Sequence, residues 1–320
     1  MISPRKTPAT VFFNKLIFLT ILILVSGILG WFTGKAWISR VIGVNTGKNI
    51  EILSTKSNKN NISDINNEDL QRKNKLRSRC RNLGLNYSLF ATLVDEYFNN
   101  QYPSQKGRSL SSNPDDAFWQ NKRDQAAAYL LDIVDSLSPE AVQRMGTYTQ
   151  NDRHYWKQQV NNLHLSSRAL YNLVNTRFFQ LFPKQRNTHF FEKAIGQIWN
   201  GMMLDTLQAL QSGSRYENLS FVAIGSDVIR REATLQLGEG RAYVVFLKAS
   251  DRMKFYLKAN RDILLSIYSP TGSNNLIENS QENQWSGILP ETGYYEIIIV
   301  SRSKQTVDYQ FSIVVDRHDY

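Results

Sequence analysis

Arg241–Ala249 reads RAYVVFLKA and Met253–Ala259 reads MKFYLKA. The first is a run of β-branched and aromatic residues, and the second alternates apolar and polar positions with a period of two. Ile263–Tyr268, Gly293–Val300 and Val307–Val315 carry the same residue types. Gly, Pro, Asn and Ser clusters separate them, Ser269-Pro270-Thr271-Gly272 among them. Several short strands at this spacing predict an antiparallel sandwich or barrel, and roughly 90 residues suffice for one such domain.

Working back from these strands, the period changes at Gly213. From about Glu68 to Ser212 the pattern is helical. Asn113-Pro114-Asp115-Asp116 and Ser138-Pro139-Glu140 are start signals, with a capping residue, then Pro, then acids near the positive helix end. Phe118, Ala126, Tyr129, Leu130, Ile133, Val134 and Leu137 have mostly helical spacing. Ser166 precedes a helix whose stripe is Leu170, Leu173, Val174 and Phe178, and Pro183 stops it. A further helix is predicted from about Phe190 to Leu210. No internal repeat of fixed period is apparent. Ser54–Asn67, with five Asn and three Ser in fourteen residues, reads as a tether.

The chain has 320 residues, 42% of them apolar and 21% charged, which excludes wholesale disorder and a collagenous fibre. With Cys80 alone, no intrachain disulfide or Cys-rich zinc site can form. The net charge of +10 suits an anionic partner. Leu16–Phe32 carries no charge, and seventeen residues cover about 25 Å, the low end for a membrane span. Trp31, Phe32 and Trp37 stand at its end, where amphipathic rings favour the lipid interface. A cleaved signal peptide is the competing reading, but no clean small-x-small site follows. Arg5, Lys6 and Lys15 on one flank balance Lys35, Arg40 and Lys48 on the other. A short basic N-terminus that stays in the cytosol is the default, and it places the bulk on the extracytoplasmic side.

The expected fold is therefore α+β and multidomain. It comprises a cytoplasmic stretch (1–15), a single transmembrane helix (16–33), a flexible linker (34–66), an α-helical domain (67–213) and an antiparallel β-sandwich (214–320).

Gly240-Arg241-Ala242-Tyr243-Val244, Asp262–Tyr268 leading to Gly272, and Leu289-Pro290-Glu291-Thr292-Gly293-Tyr294-Tyr295-Glu296-Ile297 resemble the bacterial pre-peptidase C-terminal family of β-sandwich modules. That resemblance implies a non-catalytic appendage of a secreted or surface protein. The second acid that often neighbours the Asp262 position is absent, so no metal role is carried over. Ser138–Ala141, Leu165–Tyr171 and Phe178–Pro183 resemble a non-kinase segment of cyanobacterial membrane proteins, some of them serine/threonine kinases. In those kinases the catalytic domain precedes the anchor, whereas only about fifteen residues precede it here, so the resemblance implies an extracytoplasmic sensing or binding role and no catalysis.

Catalytic motifs are missing. Neither HRD nor DFG occurs, Gly238-Glu239-Gly240 lacks the third glycine of a phosphate loop, and Ser301-Arg302-Ser303-Lys304 lies in a predicted β turn rather than at a helix start. His154, His164, His189 and His318 have no second ligand at metal spacing, and His154 and His189, beside aromatics, read as structural. No cofactor, metal or catalytic residue is assigned. Arg72, Lys73, Lys75, Arg77, Arg79 and Arg81 make six of ten residues cationic, and they spread around a helix rather than along one stripe. They suit a solvated helix end, anionic lipid or a wall polymer; nucleic acid fits an extracytoplasmic domain poorly. Cys80, within this run, is reactive if exposed and inert if packed. Tyr155, Trp156, Phe178, Phe179 and Trp199 would line a pocket or form the core.

The reading is a membrane-anchored, non-catalytic binding or sensor protein of the envelope. Two alternatives stand beside it. One is a wall or glycan hydrolase using Asp95 or Glu96, and the other is a detached sensory subunit for a membrane serine/threonine kinase.

Overall fold

The computed structural model describes residues 58–111, 116–221, 227–259, 262–272 and 275–317. The predicted span at 16–33, most of the linker, the Asn113-Pro114-Asp115 signal and His318 lie outside the described residues. No helix among the described residues is long and apolar enough to cross a membrane. Among the described residues, seven α-helices come first: α1 (Asn58–Asn82), α2 (Tyr87–Gln101), α3 (Ala117–Asp135), α4 (Pro139–Gln143), α5 (Gln150–Asn161), α6 (Ser167–Leu181) and α7 (Ala194–Gln211). Nine strands follow among the described residues: β1 (Tyr216–Leu219), β2 (Val228–Leu235), β3 (Gly240–Leu247), β4 (Arg252–Lys258), β5 (Ile263–Tyr268), β6 (Asn275–Ser280), β7 (Gln284–Ile288), β8 (Gly293–Ser301) and β9 (Val307–Asp316).

Helix starts follow the sequence signals. Ser138 caps α4 by accepting the Ala141 N–H, and Ser166 caps α6 by accepting the Ala169 N–H. Gly213, at φ +75°, closes α7 in the left-handed conformation that favours glycine. The tether expected through Asn67 gives way to helix at Asn58. The C-terminal half of α1 is docked by Arg72 on Asp124 and Arg79 on Asp132, and a nucleated helix extends at little further cost.

An internal repeat, not evident from local patterning, emerges from the backbone. Residues 79–107 align without a gap on 159–187, and eight of the twenty-nine pairs are identical, including Leu83/Leu163, Phe98/Phe178 and Pro103/Pro183. Gly84 and His164 both take positive φ, at +69° and +56°, as do Gly107 and Asn187, at +80° and +60°. Asn86 and Ser166 cap α2 and α6, and each helix ends in a 3-10 turn, Pro103–Gln105 or Pro183–Gln185. The repeated positions are largely core and punctuation, while the solvent-facing residues between them differ, and this hides the period from composition.

The strands form a five-stranded sheet in the order β1-β3-β8-β5-β6 and a four-stranded sheet in the order β2-β9-β4-β7. The pairing departs from the wholly antiparallel expectation at one edge, where short β1 runs parallel to β3. The chain leaves α7 through Gly213, and the Arg215 carbonyl accepts the Ala242 N–H, which brings β1 in beside β3. Tyr243, Val245, Ile297 and Ile299 face the four-stranded sheet, while Ala242, Val244, Ile298 and Val300 join the core of the helices. The five-stranded sheet is thus covered on both faces. Its central strands consequently read as apolar runs, whereas β4, covered on one face, keeps its alternation. Within Ile62–Tyr320, helices and sandwich pack as one compact unit.

Candidate functional site

Helix α6 lies on the five-stranded sheet, and polar groups fix it there. The Glu296 carboxylate accepts the Ser166 N–H at 3.0 Å and the Ser166 hydroxyl at 2.9 Å. Arg168 pairs with Glu278 at 2.6 Å. Asn172 donates to Ser266 Oγ and Tyr268 Oη, and Gln180 donates to the Arg302 and Ser303 carbonyls. His164 stacks on Tyr294 with ring centroids 3.7 Å apart. Burial pushes the Glu296 carboxyl up to about 7, against the opposing pull of its Ser166 hydrogen bonds and of Arg168.

Beside this seam a cleft of about 830 Å³ opens between the outer flank of α6 and the sandwich. Tyr171, Asn175 and Phe179 line its helical wall, and Leu264, Tyr268 and Glu278 its sheet wall. Arg186 from the turn after α6, and Arg302 and Lys304 from the loop between β8 and β9, stand at its edges. Rings and cations are interleaved: Lys157 over Tyr171 at 5.1 Å, Arg168 over Tyr268 at 4.7 Å and Arg186 over Phe179 at 5.0 Å. The volume lies within the range of small-molecule sites. Among the described residues, no cluster of three or more His, Cys, Asp or Glu could hold a metal ion.

The aromatic set predicted from sequence divides. Phe179 lines the cleft, whereas Trp156, Phe178 and Trp199 are core, with at most 2% exposure, and Tyr155 faces solvent. The three buried rings sit on the same helical stripes as the aliphatic core, and packing wins. Trp199 still touches the site indirectly, since its indole N–H donates to Asn175 Oδ1 at 2.9 Å. Sequence reasoning missed Tyr171, Asn175, Tyr268, Arg302 and Lys304. Their signal lay in tertiary position alone, because Tyr268 is 96 residues from its partner Asn172 and Arg302 is 122 from Gln180.

The basic run does not form one surface. Arg72 is engaged by Asp69 and Asp124, Arg79 by Asp132, and Lys73 donates to Gln120, while Lys75, Arg77 and Arg81 are exposed. Cys80 is packed, its thiol donating to the Leu85 carbonyl at 3.4 Å and pushed up by burial. His154 and His189, read as structural from their aromatic neighbours, are exposed: Trp156 and Phe190 turn into the core without them, and Tyr155 faces solvent beside His154. Asp95 pairs with Arg123 at 2.7 Å, and both Glu96 oxygens accept N–H groups at the start of α7, from Ala194 and Ile195.

No protein-family model matches the chain. Over 298 residues it is 29% identical to a protein of Synechocystis sp. (strain ATCC 27184 / PCC 6803 / Kazusa) named serine/threonine-protein kinase-like protein E. The match covers 90% of this chain and 47% of that protein, so the chain spans about half the length of its curated relative. Similarity to the kinase-associated region is therefore supported, and it runs through the sandwich as well as the helices. The pre-peptidase resemblance has no such support.

Among solved structures, the chain is similar to the periplasmic inhibitors of g-type lysozyme, PliG, from Aeromonas hydrophila and Salmonella Typhimurium. The identities are 17% and 16%, with 32% of this chain covered in each case, 96% and 98% of the inhibitors, and TM-scores of 0.29 and 0.26. The overlap is too loose to define a shared fold.

Proposed function

We propose that the chain is a non-catalytic, membrane-anchored binding protein whose folded body lies outside the cytoplasm. In this reading the cleft between α6 and the sandwich is its ligand site. The carrying observation is the cleft itself. It is walled by two different parts of the fold, and the hydrogen bonds of Ser166, Asn172 and Gln180 hold those walls together. Such a site is preorganised, and little binding energy is lost in ordering it. The uncharged run Leu16–Phe32 supports the anchor, and the short basic stretch before it supports the orientation. The hydrolase alternative is weakened by Glu96, whose carboxylate is occupied as the cap of α7.

Two measurements test this reading. Protease added to intact spheroplasts should digest the folded body, and protection until lysis would reject the location. Thr176→Trp, which places an indole in the cleft, should abolish co-sedimentation of the detergent-solubilised full chain with purified, lipid-free envelope polymers. Unchanged co-sedimentation would reject the site. The kinase-like relative favours a second reading, in which the chain is the sensory subunit of a separate membrane kinase. Its test is whether deleting this chain changes the autophosphorylation of a kinase in the same membranes.

A further inference from the structure

The cleft's cations are held in an unusual way. Arg168 is neutralised by Glu278, but Arg186, Arg302 and Lys304 form no ion pair among the described residues. Arg186 is instead laid over the Phe179 ring. A guanidinium held by a ring face keeps its in-plane N–H donors available, and they match the two oxygens of a carboxylate or sulfate. Two other clefts make the contrast: one of about 730 Å³ on the four-stranded sheet, where Lys258 lies among the carboxylates of Glu232 and Asp308, and one of about 580 Å³ on the first repeat. There Arg123 is paired with Asp95, Arg108 with Asp116, and Lys73 donates to Gln120. The cleft beside α6 differs from these: among the described residues it keeps three cations without an ion pair, and they come from both walls.

We infer that this cleft takes an acidic polysaccharide, gripping its oxyanion groups between Arg186 on the helical wall and Arg302 and Lys304 on the sandwich wall. This rests on the cleft being the ligand site and adds the class of ligand. A lipid surface fits less well. Peripheral lipid binding adds inserted apolar side chains to the attraction of cations, and none of the large exposed apolar residues, Phe246, Tyr256 and Ile288 among them, lines the cleft. Single-stranded nucleic acid needs free ring faces for its bases, and each ring here already carries a cation.

The test uses the full chain in phosphatidylcholine nanodiscs and follows binding by calorimetry. The probes are trigalacturonate, neutral maltotriose and phosphatidylglycerol vesicles. Trigalacturonate should bind, and its affinity should fall steeply between about 0.05 and about 0.5 M salt. Arg186→Gln should weaken it about threefold and Arg302→Gln with Lys304→Gln about fivefold or more, as expected for lost exposed charge contacts. Arg302 and Lys304 are exposed, so their loss leaves the fold intact; Arg302→Lys should retain most of the binding. Equal binding of maltotriose, insensitive to these substitutions, would overturn the selection for charge while leaving the cleft a ligand site. Binding to the vesicles alone, lost in the same variants, would overturn the polysaccharide in favour of a headgroup. If no probe binds while Thr176→Trp still abolishes envelope co-sedimentation, the ligand class is wrong and the cleft stands. If that co-sedimentation also persists, both fall.

Discussion

Replacing Glu296 with Gln is expected to remove a pH dependence of stability that the wild-type chain shows between about pH 4.5 and 7. The carboxyl is 4% exposed, and burial raises it from 4.5 to about 7. At about 1.4 kcal/mol per pH unit, that interval corresponds to about 3 kcal/mol. The sign follows from proton uptake. Within this window the folded chain holds a proton that the unfolded chain has released, so stability is greatest below about 4.5, declines to about pH 7, and is flat above. Asp116 and Asp152, both held below the usual carboxylate range by hydrogen bonds and arginines, act in the opposite sense and only at lower pH, so they leave the window clear. Urea denaturation of the full chain at pH 5 and pH 8 measures the difference, which corresponds to roughly 6–12 °C in Tm. The Gln variant keeps an acceptor for the Ser166 N–H without a charge to desolvate, so it should exceed wild type at pH 8 and match it at pH 5. A wild-type chain equally stable at both values, or a variant with the same decline, would refute the reasoning.

Other perturbations reach different parts of the fold. Tyr243 and Tyr309 share a buried hydrogen bond of 2.6 Å, so changing either to Phe should cost about 1–2 kcal/mol, while changing both should cost no more than one; urea titrations of the double-mutant cycle would show it. A Cβ on Gly196 would meet the Phe191 and Phe190 carbonyl oxygens at 2.5 and 2.6 Å, and Gly196→Ala should therefore destabilise by about 1–3 kcal/mol, read as a lower urea midpoint with unchanged slope. The Cys80 thiol should resist Ellman's reagent in the folded chain and react promptly in urea, and fast reaction without denaturant would contradict its burial.

Much of the architecture was legible where one local rule acts alone. Ser138-Pro139 and Ser166 announced their helices because a cap and its first turn are neighbours in sequence. The apolar runs of β3, β5 and β8 announced strands, but they could not announce which surface covers their second face. That surface is supplied by α6, and only the assembled layers show why Ile298 and Val300 are apolar as well as Ile297 and Ile299. The cleft was hidden for the same reason. Phe179 lies one turn from Asn175, yet Tyr268, Arg302 and Lys304 reach it through the fold. Trp156 and Trp199 looked like pocket residues only because helical spacing does not distinguish a stripe facing a cavity from one facing a neighbour.

The two copies of the helical repeat begin α2 and α6 in the same manner but finish the job differently. Asn86 closes its helix start with its own side chain and meets no sheet, whereas Ser166 does so and then hands its N–H and hydroxyl to Glu296. The first copy therefore demonstrates that the turn stands without help. What the carboxylate contributes in the second is attachment: the same turn that merely begins a helix in one copy becomes, in the other, a fastening between two layers that already share a core.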